Sequence, residues 1–262
     1  MSNLEAIILG IIQGITEFLP ISSSGHLIIA RKIFEINIVT SLIEVTLHAG
    51  TLVSILYYFK DDITKEFQKI VNGEFEYLKY IILGTIPAAL IGLFFKVHIE
   101  NMFFNINSIN YLIFNYFILS IILLAIKFCS YSNLNHLNYK IAIFIGIAQS
   151  IAILPGISRS GLTICIALFL GLNKKIATKF SFILAIPILF FATINSISSN
   201  YNIILNDNKL IESLFLGFIF SALTGYVVIK LMVNMINNEK FWYFSIYCFC
   251  ISLLLLVYNY GL

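Results

Sequence analysis

Residues 10–26 read GIIQGITEFLPISSSGH, and residues 146–161 read GIAQSIAILPGISRSG. Each stretch places a proline and a serine- and glycine-rich cluster inside an apolar run of membrane-spanning length. Hydrocarbon penalises unpaired polar groups, so a polar break that occurs twice inside it indicates a functional site. Five residues of the first stretch recur 136 positions later in the second: Gly10 as Gly146, Gln13 as Gln149, Ser22 as Ser158, Ser24 as Ser160 and Gly25 as Gly161. Leu19-Pro20 also matches Leu154-Pro155 when the alignment is shifted by one residue.

The composition is that of an integral membrane protein. The 262-residue chain is 60% hydrophobic and 11% charged, with a mean hydropathy of +0.95, whereas a soluble domain carries roughly 25% charged residues. Apolar runs recur along the whole length, which predicts one transmembrane domain over residues 1–262. The net charge of +3 is too small to indicate a nucleic-acid partner.

The apolar runs predict an all-α, polytopic helical bundle, because only helices of this kind satisfy their own backbone in lipid. The polar segment between Lys60 and Lys79 is expected to be a loop outside the membrane. The repeat divides the chain into halves of roughly residues 1–135 and 136–262. The runs are Leu4–Ala30, Ile43–Phe59, Tyr80–Phe95, Ile109–Phe128, Ile141–Gly171, Phe180–Ile197, Ile211–Met235 and Phe241–Tyr260.

The first and fifth runs are expected to fold as helix, break and half-helix. Proline removes a backbone donor and disfavours helix in the residue before it, and a following serine can cap a new helix. The result is either a re-entrant hairpin or a broken span. Duplicated halves with discontinuous helices place a ligand site between the halves, and inward-pointing helix N-termini suit phosphate or carboxylate.

The first stretch carries groups for metal binding or acid–base chemistry. Gln13 and Glu17 are four residues apart and share a helix face, so they could hold Mg²⁺ or Ca²⁺; Glu17 could instead be a general base, or simply an interfacial glutamate. One of Ser22, Ser23 and Ser24 is expected to cap the half-helix. His26 could be a nucleophile or a general acid or base, or bond a neighbouring carbonyl.

Arg159 is the most informative single residue of the second stretch. An arginine at the bilayer centre costs roughly 2.5–3.5 kcal/mol on insertion scales. Pairing with Glu17 could offset part of this cost. That pairing does not explain the neighbouring Ser158, Ser160 and Gly161, so a phosphate or oxyanion clamp is the favoured interpretation.

Glu44 and His48 form another pair four residues apart, at the start of the second run. Both could lie at the membrane surface. The alternative prediction is that they support the site from behind, without touching substrate.

The motifs Gln13-x-x-x-Glu17-Phe-Leu-Pro-x-Ser-Ser-Ser-Gly-His26 and Pro155-Gly-x-Ser-Arg159-Ser-Gly-x-Thr163 resemble the two signatures of the undecaprenyl-diphosphatases of the bacitracin-resistance type. The likeness extends to the Glu44 segment and to residues 180–187. The family carries Glu or Gln at the position of Gln13. His48 stands where some relatives carry Gln, which weakens a catalytic role for it.

The resemblance implies a bacterial inner-membrane hydrolase with inverted repeats and two re-entrant segments. It would remove the terminal phosphate of a C55 isoprenyl diphosphate, giving the carrier lipid for peptidoglycan synthesis and conferring bacitracin resistance. The family uses a divalent cation, and its active site faces the periplasm. The expected partners are the isoprenyl diphosphate and membrane lipid, with no nucleic acid and with a homodimer left open.

The roles expected of the residues follow from that reaction. Arg159 and the half-helix starts would hold the phosphates, and Glu17, with Gln13, would hold the metal or activate the attacking group. The nucleophile is open between Ser23, His26 and water. The phosphate-binding set comprises Ser22, Ser24, Gly25, Ser158, Ser160, Gly161 and Thr163.

A transporter is the main alternative function. Broken helices and inverted repeats also build anion carriers and lipid-phosphate flippases. A carrier needs the clamp, but it does not need an acid–base pair such as Glu17 with His26. The number of lysines does not by itself settle the orientation in the membrane, because the Lys60–Lys79 segment carries both positive and negative charges.

Overall fold

The computed structural model describes residues 2–34, 41–95, 108–129, 134–200 and 207–261. Within these ranges the chain forms eleven α-helices and no β-strand, which confirms the predicted all-α class. The helices are α1 (Asn3–Phe18), α2 (Ser23–Ile33), α3 (Ser41–Tyr58), α4 (Lys60–Val71), α5 (Glu76–Phe94), α6 (Ser108–Ala125), α7 (Tyr139–Ile151), α8 (Arg159–Phe169), α9 (Lys174–Ser199), α10 (Asn208–Asn237) and α11 (Phe244–Tyr260).

Five of the described helices, α5, α6, α9, α10 and α11, are long and apolar enough to cross a membrane. A sixth candidate is α3 together with α4, a pair of helices bent by 74° at the break between them. Many of their large apolar side chains are exposed on the outside of the bundle, as expected of surfaces that face lipid. The chain is therefore a multi-pass membrane protein.

The segment between Lys60 and Lys79, which is expected from the sequence to be a loop, is largely helical. The Lys60–Lys79 segment forms α4 and the start of α5, and Lys174–Lys179 forms the first turns of α9. In α4 the apolar residues Ile63, Phe67 and Val71 recur every fourth position, which favours an amphipathic helix despite the high charge. The prediction failed because it used mean polarity and not periodicity.

The first broken run begins with α1, which lies parallel to α10. The Asn3 amide donates to Glu212 at 2.8 Å. Further along both helices, a Cβ added at Gly10 of α1 would lie 2.5 Å from the carbonyl oxygen of Gly217 in α10. Because residue numbers increase together along both helices at these contacts, α1 and α10 run in the same direction. The two glycines lack side chains, which lets the helix backbones touch.

The first broken run is a re-entrant hairpin, because α2 returns towards the end at which α1 began. Its last turn carries Arg31, which donates to Glu44 in the first turn of α3 at 2.8 Å. The chain therefore enters and leaves at one end of the bundle, which we call the α3-start end.

The second broken run repeats this arrangement with α7 and α8. The Tyr139 and Tyr80 rings lie 5.0 Å apart, and a Cβ at Gly146 would lie 2.7 Å from the Gly84 carbonyl oxygen, so α7 runs parallel to α5. The α8 helix then turns back. The Gly171 carbonyl after it accepts from the amide of Leu134, in the segment that precedes α7, at 2.8 Å.

The two hairpins enter from opposite ends. The second hairpin leads into α9, whose Lys179 contacts Asp62 of α4 at 3.1 Å. Since α4 follows the C-terminus of α3, this is the end opposite the α3-start end, and we call it the α4 end. The expected inverted arrangement with two re-entrant segments is thus present, and the boundary that the sequence places near residue 136 falls between α6 and α7.

The core lies around the meeting point of the two hairpins. Phe18 at the end of α1 packs edge-on against Phe182 of α9, with ring centroids 5.6 Å apart. Both rings and that of Phe180 are fully buried, as is Tyr116 of α6. This packing holds the two breaks at a fixed separation.

Candidate functional site at the two helix breaks

Both breaks line one cavity of about 180 Å³. Its polar wall comes from both repeats, and its apolar wall comes from the end of α7 and the middle of α9. The polar lining residues are Glu17, Ser22, Ser23, Ser24, His48, Gln149, Ser158 and Arg159, and the apolar ones are Ala152, Ile153, Ile157, Ala185, Ile188 and Leu189.

Ser22 is the N-cap of α2, and its backbone is strained. Its φ is +64° with ψ at 101°, a combination that a residue with a side chain rarely adopts. The side-chain oxygen accepts from the Gly25 amide at 3.3 Å and from the Gly156 amide of the other break at 3.1 Å. Ser22 therefore directs α2 into the cavity and joins the two breaks.

The second break is fastened to the first through Leu19. The hydroxyls of Ser158 and Ser160 donate to the Leu19 carbonyl at 3.4 and 3.3 Å. Ser158 also caps α8 by accepting from the Gly161 amide at 3.1 Å. These bonds satisfy backbone groups that would otherwise be unpaired at membrane depth.

Glu17 is the group on which the site converges. Its Oε1 accepts from Arg159 Nη2 at 2.6 Å, and its Oε2 accepts from the Ser23 hydroxyl at 2.6 Å. The Gln13 amide donates to the same Oε2 at 3.0 Å, and His48 Nδ1 lies 3.3 Å from it. One carboxylate thus connects the start of α2, the start of α8 and the middle of α3.

Two buried polar atoms of residues that line the cavity have no hydrogen-bond partner among the described residues. They are Arg159 Nη1 and Gln149 Oε1. An unpaired guanidinium nitrogen in a low-dielectric cavity is a strong donor to an anion. Arg159 can therefore bind a phosphate oxygen while its other nitrogen stays on Glu17.

His26 points away from the cavity. Its Nδ1 donates to the Ser22 carbonyl at 2.8 Å and lies 2.9 Å from the Tyr116 hydroxyl. Its Nε2 accepts from the Tyr247 hydroxyl at 2.7 Å, and the two rings stack at 15°. Both ring nitrogens are occupied, so the geometry supports a role in holding Ser22 and not in proton transfer to substrate.

Several predicted residues lie behind the cavity and not on its wall. The Gly25 and Gly161 amides are used in the two caps. The Thr163 hydroxyl contacts Ser181 Oγ at 2.5 Å, and Ser160 is fully buried. These four positions build the half-helix starts that carry Ser23 and Arg159.

Glu44 and His48, predicted as a supporting pair, have different environments. Glu44 is paired with Arg31 between α2 and α3. His48 lines the cavity, and Gln13 Nε2 donates to its Nδ1 at 2.8 Å. Its helical spacing from Glu44 gave no sign of this contact with α1.

The sequence did not place Gln149, Tyr116 or Tyr247 in the site, and it predicted the tyrosines to be interfacial anchors. Gln149 could have been found, because it is the repeat partner of Gln13. The two tyrosines could not, since each reaches His26 across about a hundred or more residues of chain.

The donor set beside Glu17 fits a divalent cation that shares its coordination with a substrate. Within the described ranges there is no cluster of three or more His, Cys, Asp or Glu side chains that could enclose an ion. Glu17 nevertheless offers a carboxylate, and the buried Gln13 Oε1 has no partner in the described part of the chain. Mg²⁺ is typically bound by one or two carboxylates, with substrate phosphates and water completing the shell.

The fold and site together define a class: polytopic membrane proteins in which two inverted re-entrant hairpins form one cavity that contains a carboxylate, a guanidinium and serine hydroxyls. The chain belongs to the family described as bacitracin resistance protein BacA, whose sequence profile matches residues 6–254.

Individual relatives cover nearly the whole chain. A protein of Carboxydothermus hydrogenoformans is 40% identical over 98% of this chain and 97% of its own. One of Campylobacter jejuni is 38% identical over 94% and 91%, and one of Halothermothrix orenii is 35% identical over 98% of both. All three are named undecaprenyl-diphosphatase.

Proposed function

We propose that this protein is an undecaprenyl-diphosphatase, which hydrolyses the C55 isoprenyl diphosphate to its monophosphate and inorganic phosphate. The observation that carries the proposal is the shared carboxylate of Glu17, with Ser23 from one break and Arg159 from the other each 2.6 Å away. The family and the names of the relatives support the same activity. The product would serve peptidoglycan synthesis, and its supply would confer bacitracin resistance.

Ser23 is the nucleophile in this proposal. Glu17 Oε2 removes the hydroxyl proton as Ser23 Oγ attacks the terminal phosphorus, and the bond from that phosphorus to the bridging oxygen breaks. The lipid monophosphate leaves with the bridging oxygen and takes the proton from Glu17. Glu17 then accepts a proton from the water that attacks the phosphoserine, and this proton passes to Ser23 Oγ as inorganic phosphate is released. His26, the alternative nucleophile, faces Tyr247 and not the cavity.

Arg159 supplies the positive charge that phosphoryl transfer requires. Charge spreads over the non-bridging oxygens of the transferred phosphoryl group, so fixed donors lower the barrier more than they stabilise the substrate. Nη1, which has no partner among the described residues, is such a donor. Ser24 lies on the same wall and extends the phosphate site, whereas Ser158 lines it with its hydroxyl donated to the Leu19 carbonyl.

A divalent cation, Mg²⁺ or Ca²⁺, is proposed to be held by Glu17 with Gln13 and by the phosphates of the substrate. When bound, it would neutralise charge on the diphosphate. The isoprenyl chain would lie along the apolar wall that includes Ile153, Ile188 and Leu189.

We further propose a bacterial inner-membrane location with the site facing the periplasm, and the distribution of positive charge supports this orientation. Short cytoplasmic connections are rich in Lys and Arg, whereas Asp and Glu contribute little to orientation. The acidic residues of the α4 segment therefore do not weaken the argument from the number of lysines at each end. In and beside the described connections, the α4 end carries Lys60, Lys65, Lys69, Lys79, Lys127, Lys140, Lys174, Lys175, Lys179 and Lys240, and the α3-start end carries Arg31, Lys32 and Lys209.

Side-chain contacts support the grouping of these lysines at one end. Lys174 contacts Glu239 at 2.6 Å, and Lys127 lies 4.4 Å from the centre of the Trp242 ring. We therefore place the α4 end in the cytoplasm. His48 lies in the first half of α3, nearer the opposite end, which favours access to the cavity from the periplasm.

A flippase or anion carrier is less well supported. Such a protein needs the Arg159 clamp but has no use for a serine hydroxyl bonded to a carboxylate at 2.6 Å. The carrier alternative predicts binding of the lipid without phosphate release.

The test is an assay of purified protein in detergent with farnesyl or undecaprenyl diphosphate and Mg²⁺ or Ca²⁺. Release of inorganic phosphate is expected, and acid quenching during turnover should yield a peptide phosphorylated at Ser23. Absence of phosphate release with either cation would exclude the enzyme. Release without phosphoserine, together with full activity of Ser23→Ala, would assign the attack to water.

A further inference from the structure

Three potential ligand atoms converge on one point beside the cavity. Glu17 Oε2 and the Gln13 amide nitrogen are 3.0 Å apart, and that nitrogen is 2.8 Å from His48 Nδ1. The third side of the triangle, from His48 Nδ1 to Glu17 Oε2, measures 3.3 Å. The three side chains come from two helices, α1 and α3.

These separations match one face of a coordination octahedron. With metal–ligand bonds of about 2.1 Å, adjacent ligands in an octahedron are about 3.0 Å apart. The face leaves three further positions free for phosphate oxygens and water. A face of this kind, made of imidazole and oxygen ligands, is a common way to hold a first-row transition metal.

The Gln13 amide can present its oxygen to this point. Its Oε1 is buried and has no partner among the described residues. A half-turn of the amide exchanges Oε1 and Nε2, which places the oxygen beside Glu17 Oε2. Two oxygens at that separation repel each other unless a cation lies between them, so the turn is favourable only when the ion is bound.

The Nδ1 lone pair of His48 faces Gln13 Nε2, the neighbouring corner of the triangle. Because Gln13 Nε2 donates to Nδ1, that nitrogen acts as an acceptor in the described arrangement. Neutral imidazole with a free lone pair is the form that binds metals. His48 also lines the cavity, so an ion bound there would meet the substrate phosphates.

We propose that His48 is a third protein ligand of the divalent cation, and that the resulting nitrogen–oxygen site binds Mn²⁺ in preference to Ca²⁺. The inference rests on the proposed function only for the identity of the phosphates that complete the shell. Ca²⁺ takes oxygen ligands in proteins, whereas imidazole is a ligand for transition metals. A chain with this histidine would thus differ in cation preference from one with glutamine at the same position.

The experiment measures Mn²⁺ binding directly, without turnover. Purified protein in detergent is titrated with Mn²⁺, and free ion is followed by its electron paramagnetic resonance signal. Bound Mn²⁺ is then examined by electron spin-echo modulation, in protein with ordinary histidine and in protein labelled with ¹⁵N-histidine. A nitrogen coupling that changes on labelling identifies an imidazole ligand.

Two substitutions of His48 and one matched control make the assignment specific. His48→Leu should weaken Mn²⁺ binding by at least about tenfold, because loss of even an outer-shell partner costs 10–100-fold. His48→Gln keeps an oxygen ligand, so it should abolish the nitrogen coupling and lower the ratio of Mn²⁺ to Ca²⁺ affinity. His136 is exposed, and His136→Gln should leave both measurements unchanged.

The outcomes separate this proposal from the proposed function. Absence of the coupling in the wild type, its persistence in His48→Gln, or unchanged Mn²⁺ affinity in His48→Leu would overturn the His48 assignment. Such results could coexist with phosphate release by the wild type, in which case the enzyme stands without this ligand. Failure of phosphate release with Mn²⁺, Mg²⁺ and Ca²⁺ would reject the enzyme whatever the Mn²⁺ signal.

Discussion

At the residue scale, Arg159 is predictable from sequence because an arginine inside an apolar run requires a reason. The structure shows that two nitrogens of one guanidinium differ: Nη2 binds Glu17, and Nη1 is buried without a partner in the described chain. Pairing with Glu17 is therefore compatible with the proposed clamping of a ligand. The carboxylate positions the guanidinium and leaves its Nη1 unpaired among the described residues.

Arg159→Ala is expected to lower kcat for phosphate release by about 100-fold or more, the usual effect of removing a transition-state donor. Arg159→Lys should recover little, because a single ammonium cannot bind Glu17 and phosphate with the same fork. Both are measured by steady-state kinetics on protein that elutes as the wild type does in gel filtration. Activity of Arg159→Ala close to the wild type would refute the clamp.

His26 shows what residue-level reasoning leaves out. It lies in the motif, four residues after Ser22, so proximity suggested chemistry. Its orientation is set by Tyr116 and Tyr247, which come from α6 and α11. No local pattern contains that information.

His26→Asn tests whether the imidazole positions Ser22 or transfers protons. Asparagine can still donate to the Ser22 carbonyl, so we expect it to retain more activity than His26→Ala, by about tenfold if one strained hydrogen-bonded position is at stake. The shape of the pH profile of kcat/KM should be that of the wild type in His26→Asn. Loss of one limb of that profile would show that the imidazole titrates in catalysis.

At the element scale, the repeat predicts the two breaks but not how they are joined. Their Pro, Ser and Gly residues indicate a helix end followed by a new cap, and both caps are present at Ser22 and Ser158. The bonds from Gly156 to Ser22, and from Ser158 to Leu19, depend on how the two breaks meet in the folded chain. The contact of His48 with Gln13 likewise depends on how α3 packs against α1.

Gly156→Ala is expected to damage the site through this junction. Gly156 has φ +92°, and an added Cβ would lie 2.9 Å from Asn115 Cβ. Gly73→Ala is the matched control, since Gly73 has φ +87° and nothing within 4 Å of an added Cβ. Both variants carry the backbone strain of about 1–3 kcal/mol, but only Gly156→Ala should also lose phosphatase activity at a temperature where both remain folded. Equal activity of the two would mean that the junction is not needed.

At the scale of the whole molecule, the sequence indicated a membrane bundle, yet its lysines could be assigned to ends only after the hairpins were placed. Each of the hairpins α1–α2 and α7–α8 returns to the end at which it started. The connection after each hairpin therefore lies on the opposite side of the membrane from the one predicted when the hairpin is counted as a single span. The lysines of α4 and of the start of α9 then fall together, as the contact of Lys179 with Asp62 shows.

Thiol labelling in intact cells tests the proposed orientation. Ser24→Cys places a thiol on the cavity wall, and Cys250→Ala removes the exposed native cysteine. A membrane-impermeant maleimide should label the introduced thiol of this double variant from the periplasm, and an added isoprenyl diphosphate should slow the labelling. Labelling that requires broken cells would place the site on the cytoplasmic side.

The central claim is that two mirrored hairpins bring Ser23 and Arg159 to a single carboxylate, where a diphosphate is cleaved. The most direct test is the rate of phosphate release by the wild type, Glu17→Gln and the exposed control Glu74→Gln, assayed side by side in detergent. We expect the wild type and Glu74→Gln to turn over equally and Glu17→Gln to retain less than about 1% of that rate. Turnover by Glu17→Gln at the wild-type rate would contradict the account.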